Sequence, residues 1–254
     1  MIQVENVFKS FNKQPVLQNI HLTIPDGQFL VILGQSGSGK SVFLQHLIGI
    51  LKPDRGSIVI DGTDITRQSE SRLLKIRKNI GYLFQEGALY DFMTVFENVA
   101  FPLREHTRLK KKEITAKVME SLKRLGLDEA KNKYPSELSG GMKKRCALAR
   151  SIILDSKILL CDEPTSGLDP IRSRDISDRI REVSHQMQCT TVVTSHDIPN
   201  TLRIADQIVL IHEGSIRTRG TPQQIRESAD PFIREFIQSA LASEEFEERA
   251  GDFE

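Results

Sequence analysis

Apolar positions along this chain follow two rhythms, a β rhythm and a helical one. Residues 2–24 read as short β segments around a turn at Asn12-Lys13-Gln14-Pro15, and Pro25-Asp26-Gly27 is a second turn. Phe29-Leu30-Val31-Ile32-Leu33 is a continuous apolar run, the pattern of a strand covered on both faces. A glycine-rich loop follows, then a helix carrying Val42, Phe43, Leu47 and Ile48. Turns at Pro53-Asp54 and Arg55-Gly56 lead into a strand at Ser57-Ile58-Val59-Ile60, closed by Asp61-Gly62. Residues 80–84 read as another strand. From about Thr94 to Ser151 the period is helical. Ile114, Val118, Leu122 and Leu125 make one helix face there, and Gly126 suits its C-cap. Strand-like runs return at 158–161, 190–194 and 207–211, with a helical stretch between the first two. From Pro222 the pattern is helical, with Ile233, Phe236, Ile237 and Leu241 as an apolar stripe and an acidic, fraying end from Glu244. The expected architecture is an α/β core with a helical insert and no internal repeat.

Composition narrows the class without naming a chemistry. The 254 residues suffice for one large domain or two small ones. With 35 basic and 34 acidic side chains the net charge is +1, so no whole-chain field favours nucleic acid or a membrane surface. The apolar runs are strand-sized, far below the roughly 20 residues a membrane span needs. The start, Met1-Ile2-Gln3-Val4-Glu5-Asn6, lacks the basic and apolar regions of a secretory signal. Cys146, Cys161 and Cys189 are sparse, odd in number and widely spaced, as expected of reduced thiols in a cytosolic protein.

The chemistry lies in three short motifs. Gly34-Gln35-Ser36-Gly37-Ser38-Gly39-Lys40-Ser41 has the form G-x-x-x-x-G-K-S, after an apolar strand and before a helix. Its glycines let backbone N–H groups converge on phosphate oxygens at a helix N-terminus. Lys40 reaches the β- and γ-phosphates and the Ser41 hydroxyl ligates Mg²⁺. Ile158-Leu159-Leu160-Cys161-Asp162-Glu163 is an apolar strand ending in acid, with Asp162 as the Mg²⁺ holder and Glu163 as the general base that orients water. Leu138-Ser139-Gly140-Gly141-Met142 sets a serine and two glycines at a helix start, a second phosphate-binding end. Two such ends in one chain point to a nucleotide clasped between two copies.

Leu-Ser-Gly-Gly between a P-loop and an Asp-Glu pair resembles the ABC ATPase family, over about residues 11–220. The resemblance implies an α/β P-loop nucleotide-binding domain with an antiparallel β subdomain and an inserted α-helical subdomain at about 86–155. A C-terminal helical extension would run from about 222 to 254. It implies ATP and Mg²⁺ as cofactors and a homodimer. It assigns Phe11 to stacking on adenine; from the residues alone, an ordinary half-buried strand aromatic serves as well. Gln85 resembles the glutamine that touches Mg²⁺ or water and senses the membrane partner. Ser166-Gly167-Leu168-Asp169 resembles the loop that crosses the dimer interface, and His196 the switch histidine at the γ-phosphate.

No span is expected in the chain, so the resemblance implies a separate permease, docked near residues 85–106. Gly87-Ala88-Leu89, the run Phe101-Pro102-Leu103-Arg104-Glu105-His106, and Met142 where most of the family has Gln are similar to the ATPases of Mla-type phospholipid transporters, whose partners include MCE-domain proteins. That branch implies a peripheral subunit on the cytoplasmic face of a bacterial inner membrane. The alternatives are the ATPase of an amino acid, lipoprotein or drug transporter, or of iron–sulfur assembly. The run Arg108, Lys110, Lys111, Lys112 reads as a solvated helix start rather than a lipid contact. The C-terminal stripe suits a partner or the chain's own core equally.

Overall fold

Residues 1–238 are described by the computed structural model. Strands β1 (Ile2–Phe11) and β2 (Gln14–Ile24) open it as an antiparallel hairpin. The turn is Asn12-Lys13, both at positive φ (49° and 66°), whose twist matches that of paired strands. Gln14 and Pro15, expected in the turn, lie inside β2, with Pro15 opposite Ser10. Next come β3 (Phe29–Leu33), α1 (Lys40–Leu47), β4 (Arg55–Ile60) and the two-residue β5 (Thr63–Asp64). After α2 (Glu70–Arg77) and β6 (Ile80–Leu83) the chain turns helical, through α3 (Val95–His106), α4 (Lys111–Arg124) and α5 (Gly140–Ile152). It returns through β7 (Ile158–Asp162), α6 (Pro170–Met187), β8 (Thr190–Ser195), α7 (Ile198–Ile204) and β9 (Gln207–His212). Strand β10 (Ser215–Gly220) and α8 (Pro222–Arg226) follow, and residues 231–238 are helical.

Two sheets result. One is antiparallel in the order β2-β1-β4-β5; the other runs β10-β9-β3-β8-β7-β6. In the second sheet β9, β3, β8, β7 and β6 are parallel, and β10 closes the edge antiparallel. Period two sorts the apolar side chains of its central strands between two cores. Leu30, Ile32, Ile158 and Leu160 join the cluster shared with α1 and the antiparallel sheet, and Phe29, Val31, Leu159 and Cys161 join the cluster of the helical segment and α6. Covered on both faces, such strands read as unbroken apolar runs. The helical segment is fixed at its start by a capping box. The Glu97 N–H donates to Thr94 Oγ1 (3.2 Å) and the Thr94 N–H to Glu97 Oε2 (2.9 Å). Ile114, Val118, Leu122 and Leu125 are buried as their spacing predicts, and Gly126 (φ 63°) follows them.

A third cluster places Ile233 and Ile237 against Leu33, Ile198, Leu202 and Leu210. At these two positions the C-terminal stripe covers the chain's own core. Leu241 and the acidic stretch from Glu244 lie outside the described residues. Three elements carry too little pattern to be expected from sequence. Helix α2 buries only Leu73, β10 is a polar edge strand, and α7 has seven residues.

Phe43 is fully buried on α1, the helix that the P-loop feeds. Phe43→Ala is expected to cost about 3–5 kcal/mol of stability, read as a lower denaturant midpoint at an unchanged slope.

Candidate nucleotide site

The parallel strands all present their carboxyl ends to one edge, where open α/β sheets bind ligands. From β3 the chain enters the loop Gly34–Gly39. Two of its glycines are required sterically. A Cβ at Gly34 would lie 2.5 Å from the Ile211 carbonyl oxygen, and Gly39 adopts φ 98° with a Cβ position 2.8 Å from the Val16 carbonyl. Lys40 opens α1 but its side chain folds back over the loop. Its Nζ donates to the carbonyls of Gly34 (2.8 Å) and Gln35 (3.0 Å) and pairs with Glu163 Oε1 at 3.1 Å, with both side chains nearly buried. Ser38 Oγ is buried without a hydrogen-bond partner in the same loop. A buried orphan hydroxyl beside a buried ammonium, at a helix N-terminus, fits an anionic ligand.

Strand β7 delivers the acids. The Ser41 hydroxyl donates to Asp162 Oδ1 (2.8 Å), Thr194 Oγ1 donates to the same oxygen (2.8 Å), and the Tyr82 hydroxyl reaches Asp162 Oδ2 at 3.3 Å. Burial and the Asp162 charge push the Tyr82 phenol far up, so it stays a donor. A serine hydroxyl and a carboxylate are hard oxygen donors and fit Mg²⁺, which keeps several waters and completes its shell from substrate phosphates. Glu163 leaves the strand in the left-handed region (φ 44°), a sparsely populated conformation for a side-chain-bearing residue. Its N–H donates to Thr194 Oγ1 (3.0 Å), and its Oε2 lies 2.7 Å from His196 Nδ1.

The structure thus brings together Lys40, Ser41, Asp162, Glu163 and His196 from five positions of one sheet edge. Gln85 follows β6, next to β7 in the sheet; its side chain is exposed and makes no hydrogen bond among the described residues. Phe11 ends β1 with 41% of its surface exposed, under the Lys9 ammonium at 5.4 Å from the ring centroid. Ser139 caps α5 through its Oγ, with Gly140 and Gly141 in the first turn, and none of the three bonds a residue of the P-loop cluster. Asp169 caps α6 by accepting from the Arg172 N–H (2.9 Å).

Three participants were not picked out from sequence. Tyr82 and Thr194 sit in strands whose apolar neighbours hide their hydroxyls. Lys144 lies on the stripe of Leu148 and Ile152, where spacing predicts an apolar residue. Its Nζ donates to the Gln85 carbonyl and to Ser166 Oγ (3.4 Å). Burial lowers its pKa from the ordinary lysine range, and Glu86 and Glu163 oppose the shift. No cluster of three or more His, Cys, Asp or Glu that could hold a metal ion occurs among the described residues.

A P-loop feeding a helix, an acidic strand end beside it and a parallel sheet beneath define a P-loop nucleotide-binding protein. The chain belongs to the ABC transporter family, whose model matches residues 17–166. It is 39% identical over 254 residues to the Escherichia coli K12 intermembrane phospholipid transport system ATP-binding protein MlaF, covering 100% of this chain and 94% of that one. It is 44% identical over 236 residues to the probable ribonucleotide transport ATP-binding protein mkl of Mycobacterium tuberculosis H37Rv, covering 93% of this chain but 66% of that one. The chain therefore spans just under two thirds of the mycobacterial relative's length. Among solved structures, the ATP-binding cassette MJ0796 in a dimeric post-hydrolysis state with ADP and Pi superposes with a TM-score of 0.80 at 31% identity, over 87% of this chain and 99% of that one. The chain cbiO1 from Clostridium perfringens, part of the ABC transporter complex cbiONQ, gives 0.83 at 32% identity, over 89% and 90%. The P-loop α/β class, with an antiparallel sheet beside it and helices inserted between β6 and β7, is the architecture expected from sequence.

Cys146, Cys161 and Cys189 are all buried and unpaired, and burial pushes the Cys146 thiol up to about 12 and the Cys161 thiol well up. At pH 8 the Cys146 thiolate fraction is then about one in ten thousand. The native protein is expected to show no fast reaction of Cys146 or Cys161 with a thiol-specific reagent at pH 8. The denatured chain should react at all three cysteines; rapid native labelling at Cys146 would contradict the assignment.

Proposed function

We propose that the chain is the ATP-binding and hydrolysing subunit of an ABC transporter that powers phospholipid transport between membranes through a separate permease. The observation that carries this is the pairing of Glu163 with both Lys40 (3.1 Å) and His196 (2.7 Å) beside the Ser41–Asp162 contact. Those are the groups phosphoryl transfer needs: a cation for the β- and γ-phosphates, a metal-holding pair, and a base oriented by a second side chain. When bound, Mg²⁺ neutralises charge on the phosphate oxygens, and Ser41 and Asp162 would hold it, with Gln85 approaching from β6. As Lys40 turns its charge toward phosphate, it releases Glu163. Glu163, steadied by His196, then orients the attacking water and takes its proton. Phe11, exposed at the end of β1, offers its ring to adenine.

One chain holds only half of this site. Ser139, Gly140 and Gly141 present free N–H groups at the start of α5 and make no bond to their own P-loop. A homodimer places them on the partner's nucleotide, with Asp169 and its loop at the junction, so two ATP molecules bind per dimer. The dimeric state of the similar cassette supports this arrangement. Among the described residues the chain forms one ABC ATPase domain, with the helical subdomain at about 86–155 and helical residues at 222–226 and 231–238.

No helix among the described residues is long and apolar enough to cross a membrane. An open groove of about 560 Å³ runs beside Gln85, lined by Leu74, Phe84, Tyr90, Phe101, Pro102 and His106. Leu74, Phe84 and Tyr90 are exposed there, and Phe92 beside them is 74% exposed, an apolar patch suited to a helix of the permease. The subunit then sits peripherally on the cytoplasmic face of the inner membrane, with an MCE-domain lipid-binding protein in the same complex. The names of the two relatives point to different cargoes. The phospholipid relative is matched over nearly its whole length and the ribonucleotide one over 66%, which favours lipid.

Glu163→Gln is expected to keep ATP affinity within about twofold while turnover falls by a factor of about a hundred or more. Normal turnover in that variant would remove Glu163 from the role of base. Leu74→Glu with Phe84→Glu is expected to abolish copurification with the permease while the isolated subunit keeps its ATPase rate. Phospholipid in the purified wild-type complex, or stimulation of its ATPase by phospholipid, supports the cargo; stimulation only by another solute overturns it.

A further inference from the structure

Helix α5 is bonded along its length to the loop that follows β6. Near its start, Lys144 donates to the Gln85 carbonyl. One turn on, Ala147 lies under Gly87, where an added Cβ would come within 3.2 Å of the Ala147 Cβ. At the next turn, Arg150 donates to the carbonyls of Ala88 (2.7 Å) and Gly87 (2.8 Å) and stands over the Tyr90 ring at 5.8 Å. Positions 144, 147 and 150 are three apart, so they form one ridge of the helix. Of the three, Lys144 alone reaches a second loop. Its Nζ also bonds Ser166 Oγ (3.4 Å), and the Ser166 N–H donates to the Glu163 carbonyl (3.1 Å). The start of α5 rests on the same loop, since a Cβ at Gly140 would sit 3.3 Å from Leu168 Cδ2.

A lysine with only 8% of its surface exposed is costly to bury unless its charge is used. The two carboxylates whose fields it feels are Glu86 and Glu163, both from the loops it joins. The residue touches neither the P-loop nor the metal-holding pair.

We propose that Lys144 is a positioning residue that locks three segments together: the Gln85 loop, the 166–169 loop and the helix whose N-terminus grips the partner's nucleotide. It makes the state of one ATP site felt at the other and at the permease groove. This deepens the reading of the chain as a dimeric ATPase and rests on it. If Lys144 moves with α5, displacement of Ser139–Gly141 by the partner's phosphate shifts Ser166, and through it the backbone of Glu163. The same displacement carries Gln85 and the groove wall at Ala88 and Tyr90. Coupling then runs through a packed helix and two hydrogen bonds.

The test uses the full chain carrying Lys144→Met, which keeps the length and removes the charge, and Lys144→Arg, which keeps the charge and the donors. For Lys144→Met the expected result is nucleotide affinity within about twofold of wild type, turnover about tenfold lower, and a Hill coefficient for ATP reduced to about 1. Lys144→Arg should recover most of the turnover and the cooperativity. Hydrogen exchange should show amides of 85–88 and 163–168 losing protection in Lys144→Met alone. Wild-type turnover and Hill coefficient in Lys144→Met overturn the proposal, as does unchanged exchange in both loops. Should Lys144→Met fail to fold, Ser166→Ala removes only the second bond and should lower the Hill coefficient with a milder loss of rate; an unchanged Hill coefficient there also overturns it. If the wild-type chain hydrolyses no ATP, the ATPase reading fails by itself, and the exchange measurement still decides whether Lys144 holds the loops.

Discussion

A single threonine hydroxyl holds both acids of the site. Thr194 Oγ1 donates to Asp162 Oδ1 and accepts from the Glu163 N–H, so adjacent residues are fixed in different directions by one atom. The bond exists because β7 and β8 run parallel in a register that sets Asp162 opposite Thr194. Asp162 continues the strand and faces Ser41. Glu163 departs from it at φ 44°, and the turn swings its carboxylate to Lys40 and His196. A conformation of this kind costs about 1–3 kcal/mol, and it persists because the ion pair, the imidazole and the threonine all specify it. A register slip of one residue would reverse every side chain of β7 and dismantle the site and the two cores at once.

The resting electrostatics follow from that geometry. Lys40 is nearly buried and satisfied by two carbonyls and a carboxylate, so its charge is balanced within the fold. Phosphate is a stronger partner for a lysine at a helix N-terminus than a single carboxylate is. Glu163 and any phosphate at the loop therefore compete for one ammonium group. The Ser38 hydroxyl in the same loop is also incomplete, a buried group with no hydrogen-bond partner among the described residues.

The helical segment joins the site to an exposed apolar groove. Its α5 carries the Ser139–Gly141 start at one end and Arg150 near the other, beside the apolar groove. The net charge of +1 supplies no whole-chain field toward a membrane surface. The basic side chains of Arg108, Lys110, Lys111 and Lys112 are all exposed, and Lys110 precedes α4 with its N–H donating to Glu113 Oε2 (2.7 Å).

Much of this was legible along the chain because the informative signals are local. A strand covered on both faces needs an unbroken apolar run. A phosphate loop needs glycines at fixed offsets before a helix. Two acids at a strand end appear as adjacent residues. So β3, β7 and the candidates Lys40, Ser41, Asp162 and Glu163, which the fold brings into contact, were marked by the sequence itself. Elements with one buried residue or a polar edge, α2 and β10, leave no such mark. The hydroxyls of Tyr82 and Thr194, the burial of Lys144 and the packing of Ile233 and Ile237 on the core were decided only in three dimensions. Each depends on a partner far away in the chain: Tyr82 and Asp162 are 80 residues apart, Lys144 and Gln85 are 59 apart. Local pattern records which face of an element is apolar, but the register of the parallel sheet and the seating of α5 choose which polar groups meet.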